Sequence, residues 1–421
     1  SQEKGNNEAG FYRSTDRGAS WEKRNDYLSG GTGPHYYQEI FASPHVFDRV
    51  YQMAPRINIT EDGGLTFREL GEVDKHGDNH AMAFLPDEPE FILNGSDGGV
   101  YFTHDHAKTW KYVQNLPLTQ FYKLSVDYEL PFYNVAGGTQ DNGTQVGPSR
   151  TLTSHGIRTA DWYVAYGADG YVTLVDPTDP NILYVTWQNG HPLRFDRRTG
   201  ETIDIQPQPG PDDEPERWNW DAPMIISPHD NKRLYMGSQR LWRTDDRGDS
   251  WTVIEGEFTR GVLRYDRDID GRVAGDEAVW GNTAMSWHAN MTAIAESPLV
   301  EGLLYVGTDD GLIQVSEDGG ASWWRADLSA FPELLFVNEI TASPIDPDTV
   351  FASVDNHKMG DYAPYPLRSD DRGRTWRSIA GDLPDRHLIW SIQQDHVVPD
   401  LLFAGTEFGI YFTIDGGERW L

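Results

Sequence analysis

The stretch Ser316–Trp323, SEDGGASW, decides how this chain is read, because its pattern recurs along the whole sequence. Ser or Thr, then Asp two residues on, Gly at the fifth position and an aromatic at the eighth return five more times. The copies are Ser14–Trp21 (STDRGASW), Thr60–Phe67 (TEDGGLTF), Thr244–Trp251 (TDDRGDSW), Ser369–Trp376 (SDDRGRTW) and Thr413–Trp420 (TIDGGERW). A degenerate copy, Thr103–Trp110, has Ala107 in the glycine place. The residue types are those of a tight hairpin. The Asp carboxylate accepts hydrogen bonds from turn amides, the glycine takes a positive φ, and the aromatic fills the gap between neighbouring sheets.

Working outward, each box is preceded by an apolar strand, a Pro/Asp turn and a second apolar strand, as in 293–307 (AIAESPLVEGLLYVG) and 172–186 (VTLVDPTDPNILYVT). Counting this unit gives starts near residues 40, 82, 124, 172, 224, 293, 339 and 391, of which those at 124 and 172 have lost their boxes. Four short strands repeated at this spacing predict an all-β chain of the β-propeller class. The expected organisation is a propeller of seven blades over 40–390, with eight blades, or part of a tandem or ten-bladed propeller, as alternatives. Residues 1–39 are expected to form a terminal partial blade holding a third strand, a box and a fourth strand. Residues 391–421 are expected to form a partial blade closing this propeller or a neighbouring one.

Composition narrows the partners. The 421 residues carry a formal charge of −31, which repels nucleic-acid phosphates and anionic lipid. Aromatic residues make up 12% of the chain, too many for an acidic disordered tail. There are no cysteines, which excludes disulfides, thiolate metal sites and cysteine catalysis. No apolar run approaches the length of a membrane span, so membrane insertion is not expected.

The repeated boxes resemble those of the Asp-box (BNR-repeat) propellers, which include sialidases, xyloglucanase-type glycoside hydrolases and the sortilin ectodomain. Gly137–Arg150 (GGTQDNGTQVGPSR), Trp218–His229 (WNWDAPMIISPH) and Glu296–Asp310 (ESPLVEGLLYVGTDD) look like stretches of the bacterial sortilin-like and glycosyl-hydrolase-like members. The resemblance implies a secreted, periplasmic or cell-surface protein that acts on or binds a polysaccharide or oligosaccharide. The alternative it implies is a sortilin-like propeller that captures a peptide or protein without catalysis. It also implies a longer full-length chain with a second propeller. Sialidase chemistry does not fit, since Arg56-Ile57-Asn58 departs from the Arg-Ile-Pro sequence of that group.

Strands that run up and down place the box turns at one end of each sheet. The turns between second and third strands, and the connections between units, lie at the other end. Most long loops, residues 151–170 among them, are expected at that second end, which is where a scaffold presents a site. Carboxylates are the tools of glycoside cleavage. Asp141 (TQDNG) and Asp221 (WNWDAP) depart most from the repeat and are the candidate base and acid, with Asp169 (GADGY) third. Asp97, Asp309 and Glu407 recur at turns equivalent to that of Asp141, and the repetition argues for a structural turn role at these positions. Trp162, Trp187, Trp218, Trp220 and Trp287 are the candidate sugar-stacking residues.

Asp266-x-Asp268-x-Asp270-Gly271, with Arg272 next and Glu277 at the twelfth position, matches a calcium loop position for position. Three carboxylates, the Arg272 carbonyl and a bidentate Glu277 would hold structural Ca²⁺; the competing reading is an acidic hairpin. No organic cofactor is expected. His76-x-Asp78-x-His80 is read as a hydrogen-bonded loop network in preference to a metal site.

Overall fold

The computed structural model describes residues 10–26, 37, 39–116, 118–262 and 287–421, together with Asp266 and the short strands at 268–269 and 272–273. The described chain is all-β except for short 3₁₀ turns such as Thr159–Asp161 and His357–Met359. It divides into two compact units, residues 1–120 with 278–282 and residues 121–277 with 283–421.

Each unit is built from antiparallel meanders in which consecutive strands are hydrogen-bonded neighbours. The first unit holds a two-stranded pair, Phe11–Arg13 with Glu22–Asn25, and four-stranded sheets over 40–69 and 79–112. The second holds four-stranded sheets over 124–166, 173–204, 224–254, 291–325 and 336–378, then three strands over 389–413. Leu421 exchanges two backbone hydrogen bonds with Phe412 of the last strand, 3.0 and 2.9 Å. The sheet positions reproduce the predicted starts, and the 11–25 pair flanks a box.

The core lies between sheets. Tyr184 and Ile205 of one sheet pack with Met224, Leu234 and Trp242 of the next. Tyr305 and Val315 pack with Val337, Ala352 and Trp376 in the same way. Strands such as Leu304–Thr308 are buried on both faces, which is why they read as continuous apolar runs and not as alternating ones. Sheets stacked face to face in chain order are the blades of a β-propeller.

The boxes fold as predicted and contain more than was predicted. In the Ser316 copy, Asp318 accepts the Ser322 amide at 2.9 Å and the Ser322 hydroxyl at 2.6 Å. The Ser316 hydroxyl donates to Asp318 and accepts the Gly320 amide, both at 2.8 Å. The same four bonds recur around Asp16, Asp105, Asp246 and Asp371. A hydroxyl at the seventh position is thus part of the motif, although the sequence reading did not include it. The bonds hold the Asp16, Asp246 and Asp318 carboxyls down at about 2, the seventh-residue hydroxyl contributing most in each. Gly320 has φ +95°, and a Cβ there would lie 2.5 Å from Ile254 of the preceding sheet.

One loop lies at the opposite end from the one expected. The third strand of the 124–166 sheet, Gly143–Pro148, ends before residues 149–162, and the fourth, Tyr163–Tyr166, follows them. Residues 149–162 therefore take the place of the missing box. Trp162 precedes the fourth strand as a box tryptophan does, and its ring covers Gly147, where a Cβ would come within 2.2 Å. It stands at the far end of its sheet from Asp141, which corrects its assignment to the sugar-stacking group.

Candidate functional site

The site is assembled in the second unit at the end of the sheets away from the boxes. The 124–166 sheet turns between its second and third strands at Gln140-Asp141-Asn142, with Asp141 in the left-handed region at φ +60°. This turn lies against the connection into the next sheet because neither side has a Cβ in the way. A Cβ on Gly138 would meet the Gly170 carbonyl carbon at 2.3 Å, and one on Gly170 would meet the Gly143 carbonyl at 2.8 Å. The close approach lets Asp169 Oδ1 accept the Asp141 amide at 2.6 Å. Asp169 is 8% exposed, and Asp141 is more open.

Tyr122, just before the same sheet, donates to Gln140 Oε1 and lies over Tyr171, ring centroids 4.4 Å apart. Trp220 meets Tyr171 edge-on at 6.2 Å. Burial raises the Tyr122 phenol above its ordinary value, and the negative charges of Asp169, Asp141 and Asp221 add to the effect. One tyrosine thus registers all three predicted carboxylates, which come from connections before or within three different sheets.

Asp221 is held by an Asx turn, its amide donating to Asn219 Oδ1 at 3.0 Å. Its Oδ2 faces Lys123 Nζ at 4.0 Å, while Oδ1 is buried with no hydrogen-bond partner among the described residues. Burial raises its pKa and Lys123 opposes the rise. The Asp221 side chain is still 28% exposed, so solvent reaches it.

A buried asparagine pair extends the network to the next sheet. Asn219 Nδ2 donates to Asn290 Oδ1 at 3.0 Å, and Asn290 Nδ2 donates to the Trp287 carbonyl at 2.9 Å. The Asn290 amide donates to Asp309 Oδ1 at 3.0 Å. Desolvation pushes Asp309 up to about 7, with the Asn290 bond opposing and neighbouring Asp310 adding to it. Asp309 was read as a turn residue and does accept the Asn290 amide, and burial raises its pKa as it raises that of Asp97, read in the same way.

The tryptophans divide. Trp287 is 50% exposed, and Trp220 borders the tyrosine pair. Trp187 ends a second strand at the site end and meets Tyr166 and His191 edge-on. Trp218 is 8% exposed and packs over Gly190 in the core between two sheets, so its predicted stacking role is corrected to a packing one.

Of the predicted calcium loop, Asp270, Gly271 and Glu277 lie outside the described residues. Asp266 is exposed, and the backbones of Asp268–Ile269 and Arg272–Val273 pair as a short antiparallel ladder. Among the described residues no group of three or more His, Asp or Glu side chains is arranged to hold a metal ion. In the first unit, His80 Nε2 bonds Asp97 at 3.0 Å and Tyr37 donates to Asp78 at 2.7 Å, the loop network expected around His76. No helix among the described residues is long and apolar enough to cross a membrane.

No family model matches the chain. It is 31% identical over 371 residues to the xyloglucanase Xgh74A of Acetivibrio thermocellus, covering 80% of this chain and 37% of that protein. It is 23% identical over 232 residues to an oligoxyloglucan-reducing end-specific xyloglucanase of Emericella nidulans, covering 52% and 25%. Among solved structures, the GH74 xyloglucanase of Xanthomonas campestris is 14% identical, with 98% of this chain and 76% of that one covered and a TM-score of 0.24. The chain spans little more than a third of the length of the first of these relatives. Over four-fifths of its own length it is homologous to part of a xyloglucanase.

Proposed function

We propose that the chain is the glycan-acting part of a secreted or cell-surface glycoside hydrolase, with a polysaccharide or its oligosaccharides as substrate. The observation that supports this most is the gathering of Asp141, Asp169 and Asp221 around Tyr122, with the Asp169–Asp141 bond beside it and the Asp221 pKa raised by burial. A carboxyl whose proton is held more tightly than usual suits the general acid, which gives that proton to the glycosidic oxygen as the bond to the leaving sugar breaks. Asp141, the more open carboxylate, would take the proton of the incoming water. Asp169, which accepts the Asp141 amide, is its positioning residue. Tyr122, Trp220 and Trp287 would offer the aromatic faces on which neutral sugar rings stack. The xyloglucanase relatives agree with this reading and do not favour the peptide-capturing alternative.

Chromatography of products released from xyloglucan, other β-glucans, pectin and sialylated glycans tests the reading. Oligosaccharides should appear from one neutral polymer, and Asp221→Asn should reduce their release at least about a hundredfold, the scale of a lost general acid. Release from no polymer by the folded chain would overturn it. Calcium at 266–277 is a second proposal. Calorimetry should detect Ca²⁺ binding that weakens in Asp266→Ala, and an unchanged affinity would remove the loop as a site.

A further inference from the structure

Trp390, which the site described above does not use, stands 40% exposed near the start of Ile389–Gln394, the first strand of its sheet. Its backbone is clamped from the preceding sheet. Asn338 Nδ2 donates to the Ile389 carbonyl at 3.2 Å, and the Ser353 hydroxyl donates to the Trp390 carbonyl at 3.0 Å. An exposed indole on a backbone fixed at two successive carbonyls loses little freedom when a ligand lies against it.

Beside it, the turn His357–Met359 follows the second strand of the preceding sheet, Val350–Asn356. The His357 ring centroid lies 5.9 Å from that of Trp390, the planes at 72°, which sets a polar ring edge beside a flat apolar face. Behind the imidazole, Asp355 is 1% exposed. Its Oδ2 accepts Asn338 Nδ2 at 2.9 Å, and its Oδ1 accepts the His357 amide at 3.2 Å and bonds His357 Nδ1. The amide bond alone would cap the turn; the bond to the ring orients the side chain as well. A carboxylate accepting on both oxygens puts the imidazole hydrogen on Nδ1, so in the neutral ring Nε2 keeps its lone pair. Nε2 has no hydrogen-bond partner among the described residues, and its side chain is 33% exposed.

We propose that Trp390 and His357 form a sugar subsite. The indole carries the apolar face of a neutral sugar ring, and a hydroxyl of that ring donates to His357 Nε2. Asp355 is the positioning residue that holds the imidazole in the accepting tautomer. A flat apolar face with one hydrogen-bond acceptor beside it matches an uncharged ring rich in hydroxyls. The turn after a second strand and the entry to a first strand both lie at the end of the sheets away from the boxes, the end that carries Asp141 and Asp221. The choice of a glycan as ligand rests on the glycoside-hydrolase reading above; the geometry of the pair does not.

The test is calorimetry of the full chain carrying Asp221→Asn, so that turnover does not consume the ligand, with cello-oligosaccharides, xyloglucan oligosaccharides and oligogalacturonides as probes. Neutral oligosaccharides should bind, about tenfold more weakly once Trp390→Ala is added and about fivefold more weakly with His357→Ala, while Trp390→Phe should restore most of the affinity. In the ¹⁵N-histidine-labelled chain, the resonances that His357→Gln removes should report hydrogen on Nδ1 and none on Nε2, and Nε2 should shift as sugar is added. Both side chains are partly exposed, so the variants should fold, which circular dichroism checks. Unchanged affinity in either alanine variant overturns the subsite, as does an Nε2 resonance that the sugar leaves in place, or binding of oligogalacturonides in place of neutral sugars. A wild-type chain that releases no sugar while these losses hold refutes the activity and leaves the subsite standing. Release by wild type without these losses refutes the subsite alone.

Discussion

Three residues show how burial decides between chemistry and packing. Asp309, pushed up to about 7, keeps its proton in the folded chain where the unfolded chain has already lost it at the ordinary 3.8. Protons bound by the folded state in excess make stability fall as pH rises from about 4 to about 7, and change nothing outside that window. Asp309→Asn keeps an acceptor for the Asn290 amide and removes the titration. Urea denaturation should find wild type and variant equal near pH 4, and the variant more stable by about 2 kcal/mol above pH 7, once partial solvent exposure is discounted. Equal stability at both ends would mean that Asp309 titrates normally. Trp218 and Trp287, paired in the sequence reading as sugar platforms, should separate in the same assay. Trp218→Ala opens a cavity between sheets and should cost about 3–5 kcal/mol. Trp287→Ala, half exposed, should stay within about 0.5 kcal/mol and weaken glycan binding instead.

At the scale of the element, the box is a turn whose hydrogen bonds are internal to eight residues, which is why it was legible from spacing alone. Its energetic centre is the hydroxyl at position one, not the carboxylate at the surface. Ser316 is fully buried, and its removal leaves the buried Gly320 amide without an acceptor. Ser316→Ala should therefore cost about 1–3 kcal/mol in thermal or urea unfolding. Gly320→Ala should cost more, since it combines a left-handed backbone with a Cβ driven into Ile254. If Ser316→Ala matches wild type, the shared hydroxyl is not what holds the turn. What was not legible is equally specific. Residues 149–162 were placed at the wrong end because the third strand continues through Gly143–Pro148, where two glycines and a proline read as loop. Lys123 escaped notice because nothing local marks it; it comes to face Asp221 only when sheets far apart in sequence are assembled. Asp141 stood out in the sequence because its sheet lacks a box, and the structure puts its amide on Asp169.

For the whole molecule, the −31 charge and the boxes act against each other as acid is added. Protonation relieves the overall repulsion first, since most carboxylates titrate near 4. The box aspartates, held near 2, contribute stability above the ordinary carboxylate range that is lost as pH falls through their own values. Tryptophan emission should therefore stay native near pH 4 and change cooperatively between about pH 4 and 2, since six of the seven boxes carry a tryptophan. A transition complete above pH 4 would show that other groups govern acid unfolding.

The seats of the boxes run in one direction. Gly248 rests on Ile205, Gly320 on Ile254, Gly373 on Val315 and Gly417 on Ile379, each turn on the sheet made just before it. A chain emerging from the ribosome amino-terminus first thus builds every shelf before the piece that must sit on it arrives. Folding can keep pace with synthesis, one blade at a time, with each of these box turns finding its seat already made.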